Sequence, residues 1–168
     1  MMTTRNRYQS ILLSALLALL TSSVSAQSLV GRVVGVADGD TLTLLVDGRV
    51  QQKIRLAGID APEKAQPFGN QAKQRLSALV YGKTVTVVGV KQDRYRRLIA
   101  KILVDGQDAN LEMVVSGHSW HYKKYQSEQG PADRIAYAQA ELDARLARRG
   151  LWADAVPVAP WDYRHGAR

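Results

Sequence analysis

Thr41-Leu42-Thr43-Leu44-Leu45-Val46-Asp47-Gly48-Arg49-Val50-Gln51-Gln52-Lys53-Ile54-Arg55-Leu56 is the stretch on which the fold turns. Strand-forming residues flank Asp47-Gly48, and Asp-Gly supplies the left-handed backbone that a tight hairpin demands. Two strands are therefore predicted, Thr41 to Val46 and Arg49 to Leu56. Upstream, valine-rich Leu29 to Val36 reads as a strand leading into the hairpin. Downstream, Phe68, Ala72, Leu76 and Leu79 share one helical face, and Gly82 stops that helix. Thr84 to Val90 and Leu98 to Val104 read as two further strands, the second followed by another Asp-Gly turn at Asp105-Gly106. Asn110 is placed to cap a short helix through Val115 that closes at Gly117. A last helix starts near Pro131, presents Ile135, Ala138, Leu142 and Leu146 on one face, and ends at Gly150.

Three strands, a helix, two strands and C-terminal helices give an α+β chain that is mainly β. The order is that of a five-stranded OB-fold barrel with a helix between strands three and four. Such barrels bind oligonucleotides and oligosaccharides, and the fold alone does not choose between them. A length of 168 residues suits one domain with a modest core. Arg5 and Arg7 precede an apolar run from Ile11 to Leu20, and Val24-Ser25-Ala26 has the small-residue pattern of a cleavage site. Residues 1–26 therefore read as a secretory signal, and the run is about half of what a membrane span needs. The domain is expected over residues 27–152, with residues 153–168 an extended, partly ordered arm onto which Trp161 and Tyr163 could pack. Secretion or a periplasmic location follows, with no stable membrane insertion once the signal is gone and a monomer as the expected state.

The chain carries 23 Lys and Arg against 15 Asp and Glu. Loss of Arg5 and Arg7 leaves 21 against 15, a formal charge of about +6 that attracts polyanions. With no cysteine, disulfides are excluded and the core must hold the fold by itself. His118, His121 and His165 lack the spacing of a zinc site, and packing or surface roles suit them better. Trp120, Trp152 and Trp161 read as core or tail anchors.

Three segments carry chemistry. Asp38-Gly39-Asp40-Thr41 enters the second strand, and Asp40 shares parity with Leu42 and Leu44; a plain acidic turn would look the same. Arg55 lies in an apolar strand, with parity opposite to Ile54 and Leu56. It is followed by Asp60-Ala61-Pro62-Glu63, in which proline stiffens a loop holding two acids. Two aspartates at a barrel mouth offer oxygen ligands to a hard cation. Asp93-Arg94-Tyr95-Arg96-Arg97 leads the fifth strand and reads either as a solvated basic loop or as a phosphate clamp.

In order and spacing, these three segments resemble the active-site segments of staphylococcal nuclease homologues, and Arg149-Gly150-Leu151-Trp152 resembles that family's close. The resemblance spans about residues 28–152. It implies an OB-fold nuclease using one calcium ion, with Asp40, Asp60 and the backbone carbonyl of Ala61 as its ligands. It also implies that Glu63 orients or deprotonates the attacking water while Arg55 and Arg97 grip the reacting phosphate. Arg94 and Tyr95 would contact a neighbouring phosphate or nucleotide, and Tyr122 and Tyr125 are candidates to stack on a base. Two positions depart from the pattern. Ala61 replaces the threonine of the best-known member, which a carbonyl ligand tolerates. Arg96 stands where the family usually has glycine, so a positive φ there would strain or reshape the loop that aims Arg97.

The implied substrate is single-stranded or frayed DNA or RNA, cut with little sequence preference. The rival readings are a non-catalytic OB module that binds nucleic acid or protein, and an exported wall- or sugar-binding protein. The last leaves the ordered acids and arginines unexplained.

Overall fold

The computed structural model describes residues 28–166; the expected signal segment lies outside the described residues. The strands of the barrel are β1 (Ser28–Val36), β2 (Thr41–Val46), β3 (Val50–Leu56), β5 (Thr84–Gln92) and β6 (Leu98–Val104). β4 (Ile59–Asp60), β7 (Gln107–Asp108) and β8 (Trp120–His121) are short additions. The main sheet runs β3-β2-β1-β5-β6-β7, and a parallel β3–β6 pairing through Ile54↔Leu98, Arg55↔Ile99 and Leu56↔Ala100 closes it. This is the five-stranded OB barrel within an α+β domain, with helix α1 (Gly69–Val80) crossing between the third and fourth barrel strands. Both Asp-Gly turns take positive φ at both residues, Asp47 50° with Gly48 66° and Asp105 50° with Gly106 80°. That twist matches the right-handed twist of the strands they join.

Strand alternation turns Leu42, Leu44, Ile54, Leu56, Val85 and Val87 into the barrel, where each is at most 1% exposed. Burying each such side chain contributes about 1.5–3 kcal/mol, and this core carries the fold in the absence of disulfides. α1 seals one end with Ala72, Leu76 and Val80. Phe68 is not on that face: it is the N-cap, in the left-handed region at φ 65°, and packs against a second cluster around Trp120, Leu151 and Trp152.

Two expectations about the helices are corrected. Helix α2 (Ala109–Val115) is capped by Asp108, whose carboxylate accepts from the Leu111 N–H at 3.0 Å. Asn110 lies inside the helix, fully buried. Its Nδ2 donates to the carbonyls of Ala57 (3.0 Å) and Ala100 (3.1 Å), while its Oδ1 accepts the Ile102 N–H at 3.1 Å. It clamps the turn after β3 to β6, below the site.

Helix α3 (Pro131–Leu146) buries Tyr137, Ala140, Glu141 and Ala144 rather than the aliphatic stripe. Ile135 is 71% exposed, Leu142 49% and Leu146 76%. Small residues let the helix lie close, and Glu141 is held by the His121 N–H at 3.1 Å and by Lys123. A carboxylate with two partners can be buried where a bulky aliphatic side chain would not fit.

Within the arm expected to be extended, Pro160–Tyr163 forms one helical turn, α4. Among the described residues no helix is long and apolar enough to cross a membrane.

Asn110→Ala is expected to cost about 2–4 kcal/mol, because it strands buried backbone groups in two layers at once. Urea unfolding would measure it. A loss below about 1 kcal/mol would mean that the clamp is dispensable.

Candidate active site

Register places the first charged residues together. β2 and β3 pair Thr41 with Arg55, and the Leu56 N–H donates to the Asp40 carbonyl at 2.8 Å. Arg55 therefore stands diagonally across from Asp40 at the mouth of the barrel. Its Nη1 reaches Asp40 Oδ1 at 2.5 Å and its Nη2 reaches Asp60 Oδ1 at 2.9 Å. Asp40 is further held by the Thr41 hydroxyl at 3.0 Å and by the Ala61 N–H, which donates to Oδ2 at 3.0 Å. The guanidinium is largely enclosed by the acids it joins.

Asp60 is aimed by a miniature sheet absent from the sequence reading. β4 pairs with β8 through Ile59↔His121 and Asp60↔Trp120, and the Tyr122 N–H donates to the Gly58 carbonyl at 2.8 Å. Glu63 is aimed by the start of α1. Its N–H donates to Gln66 Oε1 at 3.0 Å, and its carbonyl lies so close to Gly69 that a Cβ there would sit 2.0 Å away. Gly39 serves the same end, since a Cβ would meet those of Ala61 and Ala72 at 2.6 Å.

The electrostatics follow from this crowding. Burial pushes Asp40 upward, but the Arg55 guanidinium and the Ala61 N–H outweigh it and hold the carboxyl below its usual range. Burial raises Asp60 above its ordinary value, against hydrogen bonds from Arg164 and the charge of Arg55. Asp38, half-buried beside Asp40, is pushed up to about 6 by desolvation first and by the Asp40 charge second. Arg55 loses some basicity to burial and regains more from Asp40 and Asp60, so its proton is held more tightly than usual.

A groove of about 1430 Å³ runs from this mouth, and Asp40, Arg55, Ala61, Glu63, Arg94, Tyr95, Arg97 and Tyr122 all line it. Asp60 lies beneath its floor, fully buried. Two residues differ from their expected posture. Arg97 is on the wall but its Nε donates to Asp93 Oδ2 at 2.8 Å. Tyr122 has one face covered by Trp161, stacked at 5.4 Å between centroids with an interplanar angle of 11°. Tyr95 is 67% exposed at the rim, with the guanidinium groups of Arg94 and Arg97 at 5.2 and 5.5 Å from its ring centre. Sequence reasoning missed Arg164, which pairs with Asp60 and Glu63. Trp120 and Trp152 anchor the second cluster as expected, and His121 is buried against Gln129 at 2.8 Å.

The donors suit a hard cation held by few protein ligands. Among the described residues no group of three or more His, Cys, Asp and Glu is gathered to hold a metal alone. The acids present carry only oxygen, and a guanidinium already reaches Asp60 and Glu63 from the groove, so these oxygens meet a cation on that side. Ala61 meets Asp40 through its N–H; its carbonyl is the atom that would complete such a shell.

Arg96 does adopt the glycine conformation, φ 64°. Asp93 makes this possible: its Oδ1 accepts the N–H groups of Tyr95 and Arg97, both at 2.9 Å, and the Arg96 N–H donates to its carbonyl at 3.0 Å. The loop keeps its shape at a cost of about 1–2 kcal/mol for a left-handed residue with a side chain. Arg96→Gly should unfold at the same denaturant concentration or slightly higher, within about 1 kcal/mol, whereas Arg96→Val should lose about 1–2 kcal/mol. Equal losses in the two variants would assign the effect to the guanidinium rather than to the backbone.

Comparison with known proteins places these features. The model of the family described as staphylococcal nuclease homologue matches residues 53–154. An uncharacterized endonuclease of Haemophilus influenzae is 43% identical over 158 residues, covering 93% of this chain and 85% of its own length. A second uncharacterized endonuclease, from Escherichia coli O157:H7, is 43% identical over 136 residues, covering 80% and 84%. A micrococcal nuclease of Shigella flexneri is 37% identical over 147 residues, covering 82% of each. With the closed barrel, the ordered acids and arginines and these likenesses together, the chain belongs to the staphylococcal nuclease family.

Proposed function

We propose that the chain is an exported, calcium-dependent endonuclease that hydrolyses phosphodiester bonds of DNA, RNA or both with little sequence specificity. The observation that carries this reading is Arg55 fixed between Asp40 and Asp60 at the head of a groove whose wall holds Glu63 and Arg97. The nuclease names of the relatives support the reaction class. Export rests on the apolar run and Val24-Ser25-Ala26.

Asp40, Asp60 and the Ala61 carbonyl would hold the ion, which supplies positive charge against the dianion that forms at phosphorus. Glu63 accepts a proton from the attacking water as the water oxygen bonds to phosphorus; the ester P–O bond on the opposite side breaks, and the departing alkoxide takes its proton from bulk water. Arg55 and Arg97 donate to the phosphoryl oxygens, and Arg55 is held charged by the acids around it. Arg97 has to exchange Asp93 for phosphate as substrate enters. Arg94 and the exposed Tyr95 contact the next phosphate or nucleotide along the rim. With so few protein ligands, calcium affinity belongs in the weak range of extracellular modules, about 10⁻⁴ to 10⁻³ M. Among the described residues no element is shaped to read base edges, so unpaired or frayed strands that lie flat along the groove are the preferred substrate, bound more weakly as salt rises.

Digestion of single-stranded DNA and RNA with calcium and with chelator tests the reading. Cutting is expected only with calcium. Glu63→Gln should lower kcat by about 10² or more while KM stays within a few-fold. Binding without cutting under both conditions would favour the non-catalytic binding module instead.

A further inference from the structure

Residues 157–165 bring a second guanidinium into the site. Arg164 Nη2 lies 2.7 Å from Asp60 Oδ2, and Nη1 lies 2.6 Å from Glu63 Oε1 and 3.3 Å from Asp60 Oδ1. The arm that delivers it is tied down at separate points. Gln66, which also holds the Glu63 turn, donates from Nε2 to the Val158 carbonyl at 2.7 Å. The Tyr163 hydroxyl donates to the Ala65 carbonyl at 3.3 Å, and Ala159 is 5% exposed. Trp161 stacks on Tyr122 and meets Trp120 edge-on at 5.4 Å.

The two arginines of the site differ in how firmly they are held. Arg55 grows from a central strand, and its side chain is 17% exposed. Arg164 sits just beyond a single helical turn near the chain's end, and its side chain is 39% exposed. Arg55 is a fixed part of the wall, whereas Arg164 can leave without disturbing the barrel.

We propose that Arg164 is a built-in competitor for the metal: it holds the groove-side oxygens of the ligand Asp60 while pairing with the base Glu63, leaves when a divalent ion binds Asp60, and so sets the metal affinity of the site. The proposal rests on the nuclease reading above, which makes Asp60 a metal ligand and Glu63 the base. A guanidinium on these two groups partly offsets their charge and occupies the base. A divalent ion offers Asp60 twice the charge at a single point and frees Glu63 for water. Because Trp161 is on the same arm, displacement of Arg164 loosens the Tyr122–Trp161 stack and uncovers a face of Tyr122 for a base.

Calcium alone, titrated by calorimetry into the metal-free protein without nucleic acid, tests the proposal. Arg164→Gln should bind calcium about three- to tenfold more tightly than the unaltered chain, as expected when a partly exposed pair of charge contacts no longer competes. Arg164→Lys, which restores a cation, should return affinity toward the original value. Trp161→Ala leaves Arg164 and every carboxylate in place but frees the arm, and should tighten calcium in the same direction. In the unaltered chain, calcium should change tryptophan fluorescence, and that change should shrink in Trp161→Ala. Calcium binding of unchanged or weaker affinity in Arg164→Gln would overturn the proposal while leaving the nuclease reading intact. No calcium binding by any of the proteins at millimolar concentration would overturn both. A raised KM with unaltered calcium affinity in Arg164→Gln would assign Arg164 to the phosphate instead.

Discussion

A guanidinium shared by two buried carboxylates is stable only where the backbone delivers all three groups at once, and here barrel closure delivers them. Arg55 belongs to β3, which pairs with β2 on one side and with β6 on the other. Asp40 enters from the start of β2 and Asp60 from the strand just after β3. Taking such charges out of water costs several kcal/mol per ion, offset only by close contacts and by hydrogen bonds to the remaining oxygens. Those are present: the Thr41 hydroxyl, the Ala61 N–H and the Arg55 fork leave few lone pairs idle. Unpairing any one of the three would leave a buried charge unanswered, so the site and the closure of the barrel are one structural unit.

Small residues and one buried amide keep the surrounding loops close to that unit. Gly39 lets the Asp38–Asp40 turn lie on Ala61 and Ala72, and Gly69 lets α1 begin against the Glu63 carbonyl. Asn110 fastens the turn after β3 to β6 from below. None of these side chains touches the groove's chemistry. They fix the distance between groups that do, and a misplacement of about 1 Å is enough to cost two orders of magnitude in rate.

The barrel was legible because its signals are local. Alternation marks Leu42, Leu44, Ile54 and Leu56 within a few residues, and Asp47-Gly48 and Asp105-Gly106 specify their own turns through positive φ. Asp40, Arg55, Asp60 and Glu63 were legible because the family resemblance binds them into one ordered pattern. What escaped depends on distant partners. Asn110 reads as a cap until β6 is seen to need its amide. The aliphatic stripe of α3 reads as the buried face because Glu141 does not reveal Lys123 and the His121 N–H waiting for it. Arg164 lies 104 residues from Asp60, inside a segment with no periodicity and no motif.

Charge balance explains why such an arm belongs at this mouth. Asp38, Asp40, Asp60 and Glu63 converge where Arg55 alone is permanently present. Asp38 answers part of the excess only below neutral pH, its carboxyl being pushed up to about 6 so that it keeps its proton to a higher pH than an ordinary aspartate. Asp60 is raised as well by its burial, but two guanidinium groups on its oxygens hold that rise back. Remove Arg164, and the burial that already raises Asp60 would go less opposed, since the hydrogen bonds from Arg164 are the main influence holding it down. A site built to take up a divalent ion must carry surplus negative charge, and surplus negative charge strains the fold until something positive answers it. Under the proposal made above, a tethered arginine would resolve the conflict: it would stabilise the acids when alone and yield to the stronger cation. The same arm covers Tyr122 through Trp161, which couples the state of the acids to the aromatic surface on which a nucleotide would lie.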